Sequence, residues 1–563
     1  MQEQYVSLYR RILAQRQHEY DASLLKGDYT PFLYPWDCLP IVYLLLALAL
    51  TPRLRLGIAR PVRCIVFGAI VLHSIYICQH RRTLWCAGGY GIGLCLAWGA
   101  IMSFTLLICN DVGQDFWRLE LRHTVSPPQK DQRNGDAIAM DKFKSLPHVD
   151  LMRRKIYSVH ASTGVCENAV TAPEEPAVRP YRLVWQSFPG HGDLIHLLDW
   201  IVDLTTAFRG VSWSHRIPIL APIDSPNSPM PGSGQKTPNR PAKATSIPKQ
   251  TLRALQRQAL KEFFTSYILL DLLKTTMVTD PYFLGLEDLR SPTPWNWLRK
   301  LTQNVPIATR LVRLIMSMAG VVFALTLIFS LSPLFFALIL PSAIDISRIT
   351  KSPLLEPWMY PAQWYPLRTS VLHSGLAGFW GKFWHQMFRY GISEPSRVVI
   401  KNLKLERDGN TARVIQLGIA FTLSGFLHAA GSYTSFSLRQ THPVQGPLLF
   451  FLLQGFGTIV QTNMVRALHK HFPLAKTSPP VVGQTINSLV VLGWLYFTGP
   501  LLANDFARSG IWLLEPVPVS ILRGVGFGPG GKDEGWWTWY QEGSKGVGWW
   551  TGDVVWRTGL GFY

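Results

Sequence analysis

Eight apolar runs constrain this chain more than any other feature: Phe32–Leu50, Val62–Gln79, Leu84–Cys109, Phe263–Val278, Leu314–Leu340, Val414–His428, Pro447–Gln461 and Ile486–Leu502. Each approaches or exceeds the ~20 residues that a helix needs to cross hydrocarbon. The backbone must satisfy its own hydrogen bonds there, and runs of this length do so as helices. The sequence therefore predicts an all-α fold, a polytopic membrane helical bundle of about eight transmembrane helices. The fourth run carries Asp271 and Lys274 and suits a half-buried helix equally well. No cleavable signal peptide is expected, because the first run starts late and lacks a basic start followed by a short apolar stretch. The first span is expected to do the targeting.

The formal charge is +20, from 55 Lys and Arg against 35 Asp and Glu. In a soluble protein that excess would raise nucleic acid as a partner. Its placement points to topology instead, and no nucleic-acid partner is expected. Arg53, Arg55, Arg60 and Arg63 follow the first run, many Lys and Arg follow the third, and Lys382, Arg389, Arg397, Lys401 and Lys404 follow the fifth. Counting spans puts these loops on one side, which the positive-inside rule makes cytosolic. Arg81 and Arg82, in the short second loop, depart from the pattern. The seven cysteines, Cys38, Cys64, Cys78, Cys86, Cys95, Cys109 and Cys166, show no C-x-x-C spacing and read as buried thiols serving as small apolar residues.

Four regions follow: N-terminal spans (1–110), a polar loop (111–250), a second membrane region (251–510) and a Gly/Trp-rich tail (511–563). Within the loop, Leu194, Leu197, Leu198, Ile201 and Leu204 recur at helical spacing while Asp199 and Asp203 fall on another face, which predicts an amphipathic helix suited to a membrane surface. From Ser214 to Gln250 the chain is rich in Pro, Ser and Gly and is expected to be flexible.

Two histidines stand in contrasting settings. His385 lies in Phe379–Arg389, a basic, aromatic stretch read as a surface helix that stacks Trp380 under Trp384 and lines up Lys382, His385 and Arg389. An anchor at headgroup level would carry the same composition. His428 lies inside an apolar run, where a titratable group is costly and marks a functional site. Ser424 and Gly425, one turn earlier, share its face and are expected to form a small polar groove beside the imidazole. His428 as glue between two helices explains the same residues, and His73 is a third imidazole in an apolar run. Two other patterns are decoys. His191 and His196 lack the Glu and the spacing of a zinc-protease helix, and Gly526–Lys532 has phosphate-loop spacing but is followed by Asp533 rather than Ser or Thr.

The run Phe379-Trp380-Gly381-Lys382-Phe383-Trp384-His385-Gln386 resembles the signature of the wax synthase-like branch of the membrane-bound O-acyltransferase superfamily, of the fungal secondary-metabolite acetyltransferase type. Phe208-Arg209-Gly210-Val211-Ser212-Trp213 is similar to that branch's Arg-Gly-x-x-Trp element, and Ser424–His428 to the segment holding the superfamily's catalytic histidine. Ala429 and Ala430 depart from relatives that carry a polar or acidic residue there. The resemblance implies a membrane-bound O-acyltransferase-like bundle in the endoplasmic reticulum, moving an acyl group, most simply acetyl, from acyl-coenzyme A to a hydroxyl of a hydrophobic, terpenoid or meroterpenoid acceptor. It implies no bound cofactor and no metal, with acetyl-CoA or another acyl-CoA as co-substrate and membrane lipids as surroundings. His428 would be the base and His385 would polarise the thioester or protonate the thiolate. Trp384 would wall the tunnel, Gln386 would hold an oxygen or the pantetheine amide, Lys382 and Arg389, with Arg397, would meet the phosphates, and Ser424 and Gly425 would line the groove. A long-chain wax-ester synthase is the nearest alternative. A transporter or lipid-binding protein is the alternative from another class.

Overall fold

The computed structural model describes residues 2–123, 181–190, 193–220, 251–304, 307–472, 479–528, 531, 535–539 and 546–563. Its long helices, named in chain order, are α1 (Gln2–Lys26), α2 (Leu39–Leu50), α3 (Leu56–His80), α4 (Tyr90–Ser103), α5 (Leu194–Thr206), α6 (Leu252–Met277), α7 (Ile307–Leu334), α8 (Leu367–Gly378), α9 (Arg389–Asn402), α10 (Asn410–Thr434), α11 (Leu449–His471) and α12 (Pro480–Arg508). Among the described residues seven helical stretches are long and apolar enough to cross a membrane: Trp36–Arg53, Leu56–His80, Tyr90–Cys109, Ile307–Ala343, Asn410–Thr434, Val444–His471 and Pro480–Arg508. The chain is thus a helical, multi-pass membrane protein.

These seven match seven of the eight expected runs. The fourth falls on α6, which is helical but too charged to count by composition, with Arg253, Arg257, Lys261, Glu262, Asp271 and Lys274 along it. It nevertheless runs antiparallel to α7. At its start Gln256 Nε2 donates to Ala337 O beyond the end of α7 (2.7 Å), and just past its end Asp280 meets Arg313 near the start of α7. At ~1.5 Å per residue, its 26 residues reach about 39 Å. Arg253, Arg257, Lys261 and Glu262 are exposed, and the two charges farther along are absorbed inside the protein: Asp271 accepts from Ser520 Oγ and Leu522 N, and Lys274 donates to Trp512 O beside Glu515. A half-buried helix and a full-length traverse are here the same element.

Side-chain contacts bring the three basic connections near one another. Arg63 pairs with Asp111 (3.2 Å), joining the surroundings of the first and third connections, and Arg209 donates to Pro361 O and Ala362 O in the connection after α7. Arg81 and Arg82, in the short second loop, are buried structural cations. Arg81 pairs with Asp37 (2.9 Å), and Arg82 donates to Cys78 O while lying over the Tyr29 ring.

Several expectations need correction. The first run starts as a strand, not a helix. Phe32, Leu33 and Tyr34 of β1 (Thr30–Tyr34) pair antiparallel with Phe562, Gly561 and Leu560 of β6 (Gly559–Phe562). With β2 (Arg81–Arg82) and β5 (Val547–Trp550) they build a sheet of order β2-β1-β6-β5, so the C-terminal strands are stitched to the N-terminal one. The stretch expected to be flexible from Ser214 is ordered to Leu220, because Ile217 and Leu220 are buried against α5 and α2; residues 221–250 lie outside the described residues. Cys38, Cys64, Cys78, Cys95 and Cys109 form no disulfide among the described residues; Cys38, Cys78 and Cys109 are half-buried, whereas Cys64 and Cys95 are exposed on α3 and α4 rather than buried. Cys86 and Cys166, His191, and residues 529–530 and 532–534 of the phosphate-loop-like turn lie outside the described side chains. The stretch Leu121–Val184 is a separate unit, described only at its ends, in β3 (Arg118–His123) and β4 (Tyr181–Gln186).

Candidate active site

His428 sits on α10, six residues before its last, and neighbours approach it closely. Its Nδ1 lies 2.9 Å from Ser424 O, and a carbonyl can only accept, so Nδ1 carries the proton and Nε2 keeps its lone pair. The Phe451 ring packs over the imidazole at 4.5 Å between centroids, tilted 31°. Tyr90 OH donates to His428 O (3.1 Å), holding the backbone from α4. The expected groove at Ser424 and Gly425 is not open. A side chain on Gly425 would meet Leu448 Cδ1 at 2.7 Å, so this glycine admits the π-helical turn Val444–Leu448 against α10. Ser424 acts on the imidazole through its carbonyl.

His385 is not on a surface helix. α8 is kinked at Gly375 (φ 55°, ψ −134°), continues as a π-helical turn Phe379–Phe383, and ends at Trp384, which is extended (ψ 143°). Wide π turns are frequent at functional sites. The Gln386 side chain ends the turn: its Nε2 donates to Trp380 O (3.0 Å) and Trp384 O (2.5 Å), while its Oε1 accepts from Arg389 NH1, which also donates to Gly381 O. Gln386 and Arg389 thus close the loop that presents His385. Lys382 is exposed on that turn, and Arg397, also exposed, pairs with Glu394 (2.5 Å).

The imidazole of His385 is turned inward among Trp384 (5.2 Å), Phe388 (5.7 Å), Trp364 (5.8 Å) and Phe329 (6.2 Å). Its Nδ1 is buried and has no hydrogen-bond partner among the described residues. Burial, with the charges of His428 and Arg209 adding to it, pushes its pKa down to about 3, so the ring is neutral at physiological pH. A continuous set of rings links the two imidazoles: Trp384 against Trp380 (5.8 Å), Trp380 against Phe451 (5.9 Å), and Phe451 on His428. His73, by contrast, has Tyr43 and Tyr76 as its ring neighbours.

The Arg209-to-Trp213 element backs this arrangement. Gly210 adopts φ 59°, where a side chain would also strike the His215 ring at 2.8 Å. The turn so formed lets Arg209 donate to Pro361 O, Ala362 O and Gln363 Oε1, immediately before Trp364. Trp364 is in turn tied to Thr326 Oγ1 (2.9 Å). Phe208 packs on Trp98, and Trp98 on Phe388. Trp364, Phe329, Phe388 and Phe451 are site residues that the sequence did not single out. Aromatics are common throughout the spans, and only tertiary contact sets these four apart.

Two expected outcomes follow. Gly375→Ala places a Cβ at 2.1 Å from Gln461 Nε2 in a backbone region that only glycine enters readily. It should cost about 1–3 kcal/mol in thermal stability and lower activity further by shifting the Trp380-to-His385 turn. The second concerns pH. His215, whose ring lies 4.3 Å from that of Tyr390 at a 40° tilt, is also held down to about 3 by burial. Both rings have folded pKa values below the unfolded ~6.5, so their contribution to stability is complete above that value and is lost as pH falls toward about 3. Detergent-solubilised protein should lose thermal stability over that window, at up to about 1.4 kcal/mol per pH unit for each imidazole. His215→Phe should flatten the slope.

Residues 364–453 match the family described as Membrane bound O-acyl transferase family. His385 and His428 both fall inside that stretch. The chain is also 31% identical over 169 residues to Acetyltransferase ataH of Aspergillus terreus, covering 29% of this chain and 53% of that protein. It is 28% identical over 148 residues to Acetyltransferase eriL of Hericium erinaceus (26% and 37%), and 26% identical over 152 residues to Acetyltransferase pyr8 of Aspergillus fumigatus (27% and 35%). The chain thus spans about half the length of the first of these relatives and little more than a third of the other two. No solved structure matches it. The resemblance to the fungal acetyltransferase branch of the family holds, at modest identity.

Proposed function

We propose that this protein is an integral membrane O-acetyltransferase that moves the acetyl group of acetyl-CoA to a hydroxyl of a hydrophobic acceptor, a terpenoid or meroterpenoid of secondary metabolism, in the endoplasmic reticulum. The observation that carries the reading is the His428 tautomer. With Nδ1–H fixed on Ser424 O, Nε2 is left as a base inside the stretch that matches the acyltransferase family. The fungal relatives are named acetyltransferases, which favours acetyl as the group moved.

In this mechanism His428 Nε2 takes the acceptor's hydroxyl proton as its oxygen bonds to the thioester carbonyl carbon. Collapse of the adduct breaks the carbon–sulfur bond. The departing thiolate then takes the proton back from the imidazolium, leaving ester, free thiol and neutral His428. With a pKa of about 3, His385 carries no second proton at physiological pH to give to the thiolate. As a neutral ring it instead donates one N–H to the developing oxyanion, the polarising role. Gln386 and Arg389 hold the His385 loop, and the exposed Lys382 is the cation left to meet coenzyme phosphate. Trp380 and Phe451, between the two rings, form the wall that an apolar acceptor would contact.

The test is acyl transfer by membranes containing the protein, with labelled acyl-CoA from acetyl to palmitoyl and a panel of terpenoid and long-chain alcohols. Acetyl esters of terpenoid alcohols are the expected products. Palmitoyl esters of long-chain alcohols alone would make it a wax-ester synthase, and no product with any pair would overturn the acyltransferase reading.

A further inference from the structure

α5 is apolar on more of its circumference than the protein uses. At about 100° per residue its apolar side chains span an arc of about 220°. Leu197, Trp200, Ile201 and Leu204 fill one half and are buried against α2 and α4. Leu194 (65% exposed), Ile195 (64%), Leu198 (47%) and Val202 (46%) fill the other half and are covered by nothing in the chain described. The remaining polar sector is turned inward: Asp199 and Asp203 both pair with the buried Arg118 (2.6 and 3.1 Å), and His196 bonds Glu120 (2.9 Å).

The surroundings say what covers the outer half. α5 packs on α2, whose Ile41, Val42, Leu46 and Leu50 are exposed on a membrane span. The exposed α5 stripe therefore adjoins a surface that already meets lipid. On its other flank Lys351 N approaches Asp199, and the connection after α7 around that contact exposes Ile344, Ile349 and Leu355 together with the cations Arg348 and Lys351 and the carboxylate Asp345, which pairs with Arg348 (3.7 Å). Apolar side chains interleaved with cations, with Asp199 and Asp203 turned inward and Asp345 exposed beside Arg348, complement a phospholipid headgroup layer.

We propose that α5 and the 344–355 connection form a monotopic seat in the bilayer leaflet on the side of the His385 loop, with Leu194, Ile195, Leu198 and Val202 embedded at the boundary of headgroup and acyl chain. The seat matters to the site because α5 leads directly into Phe208 and Arg209, whose contacts back His385. It does not depend on which reaction the site performs.

The experiment places an environment-sensitive fluorescent amino acid at Leu198 or Val202 of the full chain in proteoliposomes. Leu46 serves as a lipid-facing control and Glu406 as a water-facing one. Emission at 198 and 202 should be blue-shifted toward that at 46. Quenching should be stronger with a nitroxide near the glycerol backbone than with one at the acyl tail end, as expected at a depth of about 5–10 Å. Water-like emission quenched by aqueous iodide would overturn the proposal. So would blue-shifted emission that no lipid nitroxide quenches, accompanied by crosslinking between copies through 198, since the occupant would then be a second chain.

Discussion

Replacing His428 with glutamine is expected to lower kcat for acyl transfer by about 10²–10⁴-fold, the usual contribution of a positioned general base. Glutamine can still donate to Ser424 O and pack under Phe451, so the fold and the KM for acetyl-CoA should stay close to those of the native protein. His428→Ala should lose as much activity and, by opening space beside Phe451, some stability as well. His73→Ala should retain transfer, because that ring lies between Tyr43 and Tyr76 with no link to the His385 loop among the described contacts. A His428→Gln protein that inserts normally and keeps more than about a tenth of native kcat would remove His428 as the base. The buried imidazole would then be a helix-packing residue after all.

The spans are legible because hydrophobic length is a local property, and seven of the eight runs are long apolar helices with bounds within ten residues of those expected. Where reading failed, the deciding contact was distant in sequence. β1 is a strand because β6, more than 500 residues away, pairs with it, and no feature of Phe32–Tyr34 announces that partner. α6 reads from sequence as a span or a half-buried helix because it carries Asp271 and Lys274; their partners, Ser520, Trp512 and Glu515, come from the far end of the chain.

The site shows the same division. Residue types and resemblance picked out His385, His428 and the Arg209 element, and the structure joins all three through aromatic contacts. Local geometry was misread wherever helix was assumed to continue. The Phe379–Arg389 stretch has no proline, so nothing in it signals the break at Trp384; that break is held by the Gln386 side chain reaching back to two carbonyls. The residue read as a ligand for substrate is the one that shapes the loop. Gly425 was correctly placed on the His428 face, but Leu448 uses the space it leaves.

The largest stability effect is expected at Arg313 and Asp280. Both side chains are fully buried at the turn between α6 and α7, paired through two contacts of 2.7 and 2.8 Å. Arg313 also donates to Leu289 O, Ser291 O and Ser291 Oγ, so one guanidinium closes the whole 280–291 turn onto the start of α7. Arg313→Met would leave the carboxylate buried with no counter-charge and three acceptors without their donor. The expected loss is about 3–5 kcal/mol, read as a large fall in the thermal midpoint of the detergent-solubilised protein. Burial already raises the Asp280 pKa against the pull of Arg313, and removing the cation would raise it further. Protonation then relieves the variant, so its deficit relative to native protein should be smaller at mildly acidic than at mildly alkaline pH. Adding Asp280→Leu to Arg313→Met should recover part of the loss, since the uncompensated charge is gone while the backbone acceptors stay unmet. A single variant as stable as native protein would mean that water reaches Asp280. The turn would then be held by backbone contacts alone, and α6 would owe its antiparallel placement to apolar packing against α7.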